Sequence, residues 1–220
     1  MDRLKQLTYR DRARALREAG EITRALPPAA ANRFDLLLSA SPAPEEGLHN
    51  FARLRERNPA AFQRLMHSTN GMRYLATVFT YSTFLSEEVV EHPDWMEQLL
   101  ESGELHTSAT RETFLERLQA MLPPGPAQPE ELAKFRRRQL LRILIRDVLG
   151  RGSLAENTSE LTALADARNE FPINSFFINC LCFLDIFNSP FLMASFLGSF
   201  DLGILLILLN LFLEIGRAHV

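Results

Sequence analysis

Apolar residues recur at three- and four-residue intervals over most of the first 170 positions, the spacing of a helix with one face turned inward. Over 29–40 the inward set is Phe34, Leu37 and Leu38; over 45–56 it is Leu48, Phe51 and Leu54. Over 93–100 it is Trp95, Leu99 and Leu100, and over 110–121 it is Phe114, Leu115, Leu118 and Met121. Prolines punctuate the pattern. Pro27-Pro28 ends a charged helix over 2–26, and Ser41-Pro42-Ala43-Pro44 forms a loop, because a residue before proline avoids the helical region. Asn58-Pro59 reads as a cap with proline in the first turn of a helix running through Met66. Asn70 opens a helix to Ser82, and 84–91 continues or restarts it before His92-Pro93 breaks the chain. No stretch alternates with period two for long enough to predict a strand. The expected fold is an all-α helical bundle or array.

Domain organisation follows from the same punctuation. Residues 1–121 form an N-terminal helical region, and the Pro-rich stretch 122–130 is a linker. Residues 131–170 make a helical hairpin, in which Ser153-x-x-Glu156 matches a capping box and Thr158 is an alternative cap. Beyond it the composition changes. Ala, Arg, Gly and Pro supply 59 of residues 1–170 but only 8 of the last 50. Phe, Tyr, Met, Ile, Asn and Lys supply 26 of the first 170 and 20 of those 50. The first set uses GC-rich codons and the second AT-rich ones, so the apolar tail 171–220 is expected to have a different nucleotide origin, by frameshift or assembly artefact. A membrane anchor over 183–213 is the alternative. Against it, Asp185 and Asp201 interrupt the run, 171–213 contains no Lys or Arg, and a charge at a bilayer centre costs about 2.5–3.5 kcal/mol.

Several chemistries are excluded by what is missing. A formal charge of −3 and pI near 6.0 give no overall basic footprint for nucleic acid. The five histidines lie far apart, and Cys180-Leu181-Cys182 is too tight for Cys-x-x-Cys chemistry. No Walker loop, Gly-x-Gly-x-x-Gly or Gly-x-Ser-x-Gly occurs. The charged N-terminus is unlike a signal peptide, which points to the cytoplasm.

One segment carries more. Residues 131–167, ELAKFRRRQLLRILIRDVLGRGSLAENTSELTALADA, hold Phe135-Arg136-Arg137-Arg138, Leu141-Arg142-Ile143, Arg146-Asp147 and Thr162-Ala163-Leu164-Ala165. Upstream stand Ser41-Pro42-Ala43-Pro44 and Phe84-Leu85-Ser86 through Glu91-His92-Pro93-Asp94-Trp95. In this order and spacing, 35–167 resembles the N-terminal helical region of the bacterial glutamine synthetase adenylyltransferases. The resemblance implies a bifunctional enzyme that adds and removes AMP on a tyrosine of glutamine synthetase and reads nitrogen status through a PII-type signal protein. It also implies ATP and Mg2+, held by a Gly-Gly or Gly-Ser turn and an Asp-x-Asp pair bridging metal and phosphate. This chain has no Asp-x-Asp. The expectation is therefore an inactive N-terminal fragment with no catalytic, cofactor-binding or metal-ligating residue, and no nucleic acid or membrane partner. The alternative is a non-enzymatic helical interaction module.

The remaining candidates are Arg138, Arg142 and Arg146, which fall at i, i+4 and i+8 in one column of a helix. Like charges so placed repel, so partners are expected. One reading pairs them inside the bundle with Glu156, Glu160 or Asp166. Another makes them a contact with a catalytic domain or partner protein, and a third a phosphate site. Trp95 reads as a core anchor rather than a stacking platform, and Arg10–Arg17 as a solvated face.

Overall fold

The computed structural model describes residues 3–122 and 129–169, with side chains through Ala167. Its described residues contain ten α-helices, two 3-10 turns and no strand, so the all-α expectation holds. After the turn Leu4–Gln6 come α1 (Arg12–Arg24), α2 (Pro28–Ser39), α3 (Pro44–Arg57), α4 (Pro59–His67) and α5 (Thr69–Tyr81). Then follow α6 (Thr83–Glu91), α7 (Asp94–Ser102), the turn Glu104–His106, α8 (Arg111–Met121), α9 (Pro129–Val148) and α10 (Leu154–Asn169). The tail 171–220, its suggested anchor 183–213 and linker positions 123–128 lie outside the described residues.

Local chemistry sets the boundaries. Proline occupies the first turn of α2, α3 and α4, where its missing N–H has no intrahelical partner to lose. Ser68, Ser82 and Thr110 cap α5, α6 and α8 by accepting from backbone amides three residues on. Gly103 (φ 68°) follows α7 and Gly150 (φ 62°) follows α9, both in the left-handed conformation that favours glycine. At α10 the capping box forms both ways: Ser153 N–H donates to Glu156 at 2.7 Å, and Glu156 N–H to the Ser153 hydroxyl at 3.2 Å.

Three expectations need correction. The helix predicted over 2–26 starts only at Arg12, because the Asp11 carboxylate accepts from Arg14 N–H and caps it there. Upstream, Leu4 is fully buried, and its amide and that of Arg3 donate to Asp35 at 3.1 and 3.3 Å. Asn58 does not cap α4 with its side chain; its amide donates to the Val90 carbonyl of α6 at 2.9 Å. Leu37, Leu100, Leu115 and Met121 pack against the cores but are only half-buried.

Helices α1 to α7 stack in a regular register. Glu21 pairs with Arg55 at 2.5 Å, Arg53 with Glu87 at 2.6 Å and Arg64 with Glu97 at 2.7 Å, and Arg57 pairs with Glu91. Each pair is 33 or 34 residues apart in sequence. Arg53 and Arg57 meet Glu87 and Glu91 in ascending order, so α3 and α6 run in the same direction. Inside the stack, Phe51 sits edge-on to Phe34 (centroids 5.0 Å apart) and Phe79 (4.9 Å), joining α2, α3 and α5. At Gly47 any Cβ would come within 2.6 Å of Leu38 and 2.7 Å of Thr80, so glycine permits this crossing.

A second, smaller core lies between α8, α9 and α10. Its buried members are Ala109, Phe114, Leu118, Leu132, Phe135, Ile143, Leu164 and Ala167. Helix α9 serves both cores. Leu141, Leu144 and Ile145 pack into the stack, while Leu132, Phe135 and Ile143 face α8 and α10.

Candidate functional site

An amphipathic helix with one wet face can leave its arginines in solvent. Helix α9 has no such face along its C-terminal half, because cores lie on two sides of it; residues 141–146 are all buried. Arg142 is 0% exposed and Arg146 1%. Burying a guanidinium without compensation costs several kcal/mol, and the compensation comes from three places.

The first is Glu160 of α10, itself 1% exposed. Its Oε1 accepts from Arg142 Nη2 and from the backbone N–H of Ala109, and its Oε2 lies 3.4 Å from Arg146 Nε. The second is the backbone of the connection between α7 and α8. Arg142 Nη1 donates to the carbonyls of Glu104 (3.2 Å) and Thr107 (3.1 Å), and Arg146 Nη1 to that of Leu105 (3.0 Å). The third is the Phe114 ring, whose centroid is 5.8 Å from the Arg142 guanidinium carbon. Burial lowers the Arg142 pKa, and hydrogen bonding and charge from Glu160 offset only part of that. Arginine stays cationic even so.

The cluster has a polar margin. Arg117 reaches Gln139 at 3.3 Å and Glu104 at 3.4 Å, and Asn157 donates to Asp147 at 2.7 Å. Gly152 packs so closely that a Cβ there would lie 2.6 Å from the Asn157 carbonyl oxygen and 3.1 Å from Arg146 Nη2.

The three arginines of the sequence column thus have different fates. Arg142 and Arg146 converge on Glu160, while Arg138 is half-buried and its Nε has no hydrogen-bond partner. Of the carboxylates the sequence offered as partners, Glu156 caps its own helix and Asp166 is exposed. Sequence reasoning missed the three carbonyls, Gln139 and Arg117. The one available hint was Glu160 itself, a charge four residues before Leu164 and seven before Ala167, on the face that α10 buries.

Other candidates have settled places. Trp95 is 8% exposed and stacks on His92 with centroids 4.8 Å apart, a core anchor. The Arg10–Arg14 end of α1 borders a surface hollow of about 170 Å³ with Asp11, Glu18, Glu45, Glu46 and His49. Glu45 there is held by the amides of Arg10 (2.8 Å) and Asp11 (2.9 Å), which lower its pKa. Among the described residues no three His, Cys, Asp or Glu side chains are grouped to hold a metal ion, and no helix is long and apolar enough to cross a membrane.

The two guanidinium groups donate to backbone carbonyls and face the Glu160 carboxylate, which also accepts from the Ala109 amide. The arrangement defines a helical scaffold with a polar clasp. Residues 72–170, which include all of that clasp, match the family model described as glutamate-ammonia ligase adenylyltransferase. The matched stretch includes the motifs at 84–95 and 135–165. A bifunctional glutamine synthetase adenylyltransferase/adenylyl-removing enzyme of Shewanella loihica is 37% identical over 98 residues, covering 42% of this chain and 10% of the relative. Proteins of the same name from Pseudomonas aeruginosa (38% over 89 residues) and Shewanella woodyi (31% over 96 residues) cover 39% and 42% of the chain. The matched segment spans about a tenth of the length of these relatives. No solved structure matches.

Proposed function

We propose that this chain contributes the helical brace of a bifunctional glutamine synthetase adenylyltransferase/adenylyl-removing enzyme, and does not carry out the chemistry itself. The match of 72–170 to enzymes of that name carries the reading. It is supported by the absence of any Asp-x-Asp in the 220 residues and by a clasp whose polar groups are committed to holding helices. On this reading, AMP is added to or removed from glutamine synthetase by a nucleotidyltransferase that brings its own Mg2+ and ATP sites. The helices here position it. A PII-type signal protein is the partner through which nitrogen status would act, in the cytoplasm.

A segment exchange tests this. Residues 72–169 would replace the matching segment of the Pseudomonas aeruginosa enzyme, and AMP release from adenylylated glutamine synthetase would be measured. The chimera is expected to fold and keep AMP release, while the present chain alone releases none. A folded chimera that has lost the activity, or release of AMP by the isolated chain, refutes the proposal.

A further inference from the structure

Among the described residues, six buried side-chain polar atoms lack a well-directed hydrogen bond: Glu104 Oε2, Arg138 Nε, Arg142 Nε, Arg146 Nε, Asn157 Oδ1 and Glu160 Oε2, although Glu104 Oε2 faces Arg117 and Glu160 Oε2 faces Arg146 Nε, each at 3.4 Å. All six lie in or beside the clasp, and none lies in α1 to α7. Among the described residues the apolar packing there is also thin, eight buried residues against twenty-nine around the stack. We infer that α8 and α10 form a separately opening unit on α9, latched shut by Glu160, while the stack stays folded. Glu160 is a positioning residue in this device.

The geometry distinguishes what opens from what stays. The C-terminal half of α9 is anchored in the stack through Leu141, Leu144 and Ile145, and the α7–α8 connection through Leu105. Arg142 and Arg146 hold that connection by its carbonyls without help from Glu160. Arg151, in the turn before α10, lies 5.4 Å from the Tyr74 ring of α5, and Gly150 gives the turn its left-handed residue. Helix α10 is different. Its packing is on α8 and α9, and among the described residues its one buried charged tie to the rest is Glu160. When α10 lifts about the 149–153 turn, the arginines keep their carbonyl partners. At the same time Glu160 Oε2, Asn157 Oδ1 and the arginine Nε atoms gain water. Partly satisfied polar clusters gain from hydration in this way, whereas the Phe34–Phe51–Phe79 core only loses contacts. Sub-global opening is drawn from such regions.

The inference does not rest on the proposed function, and its test has no activity readout. Hydrogen exchange of the full chain would be followed by mass spectrometry. Peptides from 109–121 and 154–167 are expected to exchange together, faster than those from α3 and α5. Glu160→Gln is expected to speed that group by on the order of 100-fold, the fold-change that accompanies loss of one partner from a buried ion pair. Exchange in α3 and α5 should be unchanged. Asn157→Ala is a milder variant that removes only the Asp147 bond, and should give the same pattern at about ten-fold should Glu160→Gln fail to fold. Equal acceleration throughout the chain, or acceleration of 154–167 without 109–121, overturns the latch.

Discussion

The stack of α1 to α7 and the unit built by α8, α9 and α10 treat charge in opposite ways. The stack buries Phe, Leu, Met and Val and leaves its ion pairs at the rim; Arg57 and Glu91 are each about half exposed. The smaller unit, with less apolar surface to bury, places Arg142, Arg146 and Glu160 inside. Rim pairs contribute about 0–1 kcal/mol each and chiefly set register. An interior clasp contributes little net stability over an apolar replacement, yet penalises every arrangement that strands one of its charges. One region is held by burial and the other is specified by pairing. A helical chain short of core can thus fix a helix position with charge.

The sharpest break is in the stack. Phe51→Ala removes the ring joining Phe34 and Phe79 and should cost about 3–5 kcal/mol, seen as a lower urea midpoint for the whole cooperative transition. In the clasp, Arg142→Met alone should cost about 3 kcal/mol, because Glu160 and two carbonyls lose their donor. Arg142→Met combined with Glu160→Leu should recover most of that loss, since the stranded carboxylate goes too. A double variant no more stable than the single in thermal melts would show that pairing does not specify this unit. Gly47→Ala, which forces a Cβ against Leu38 and Thr80, should cost about 1–3 kcal/mol despite alanine's better helix propensity.

Acid should have the mildest effect and act on both regions, since the pKa values of Glu112 in α8 and Glu156 in α10 are lowered as well. The Arg53 hydrogen bond lowers the Glu87 pKa and the Arg55 hydrogen bond that of Glu21, while the amides of Asp11 and Arg10 lower that of Glu45. At Asp35 burial pushes upward, yet the pKa falls, with the amides of Leu4 and Arg3 among the groups that lower it. Groups whose folded pKa is depressed stabilise fully above their unfolded values, near 4, and lose that contribution as pH falls below them. Melting points should therefore decline below about pH 4. Arg53→Gln should blunt the decline by a small amount, less at high salt. A decline unaffected by Arg53→Gln at low salt would mean that the rim pairs are energetically silent.

How much of this was legible beforehand can be argued from particular residues. Pro28, Pro44, Pro59, Ser82 and the Ser153–Glu156 box mark helix starts by the groups they supply or lack within a few residues, so the amino-acid sequence alone determined most boundaries. It determined the all-α fold and the inward positions Leu48, Phe51 and Leu54 too, because a period of 3.6 places them on one face whatever lies opposite. The family likeness was also present in the order of short motifs. What only the tertiary structure decided is partnership across helices. Nothing local told Asn58 to serve Val90 rather than its own helix, or drew Asp35 to the amides of Arg3 and Leu4. Nor did anything local choose Glu160 over Glu156 and Asp166 for Arg142 and Arg146. Helical periodicity says which residues share a face. Which charges share a buried volume depends on how the faces meet, and the C-terminal half of α9, caught between two cores, had no solvent in which to leave Arg142 and Arg146.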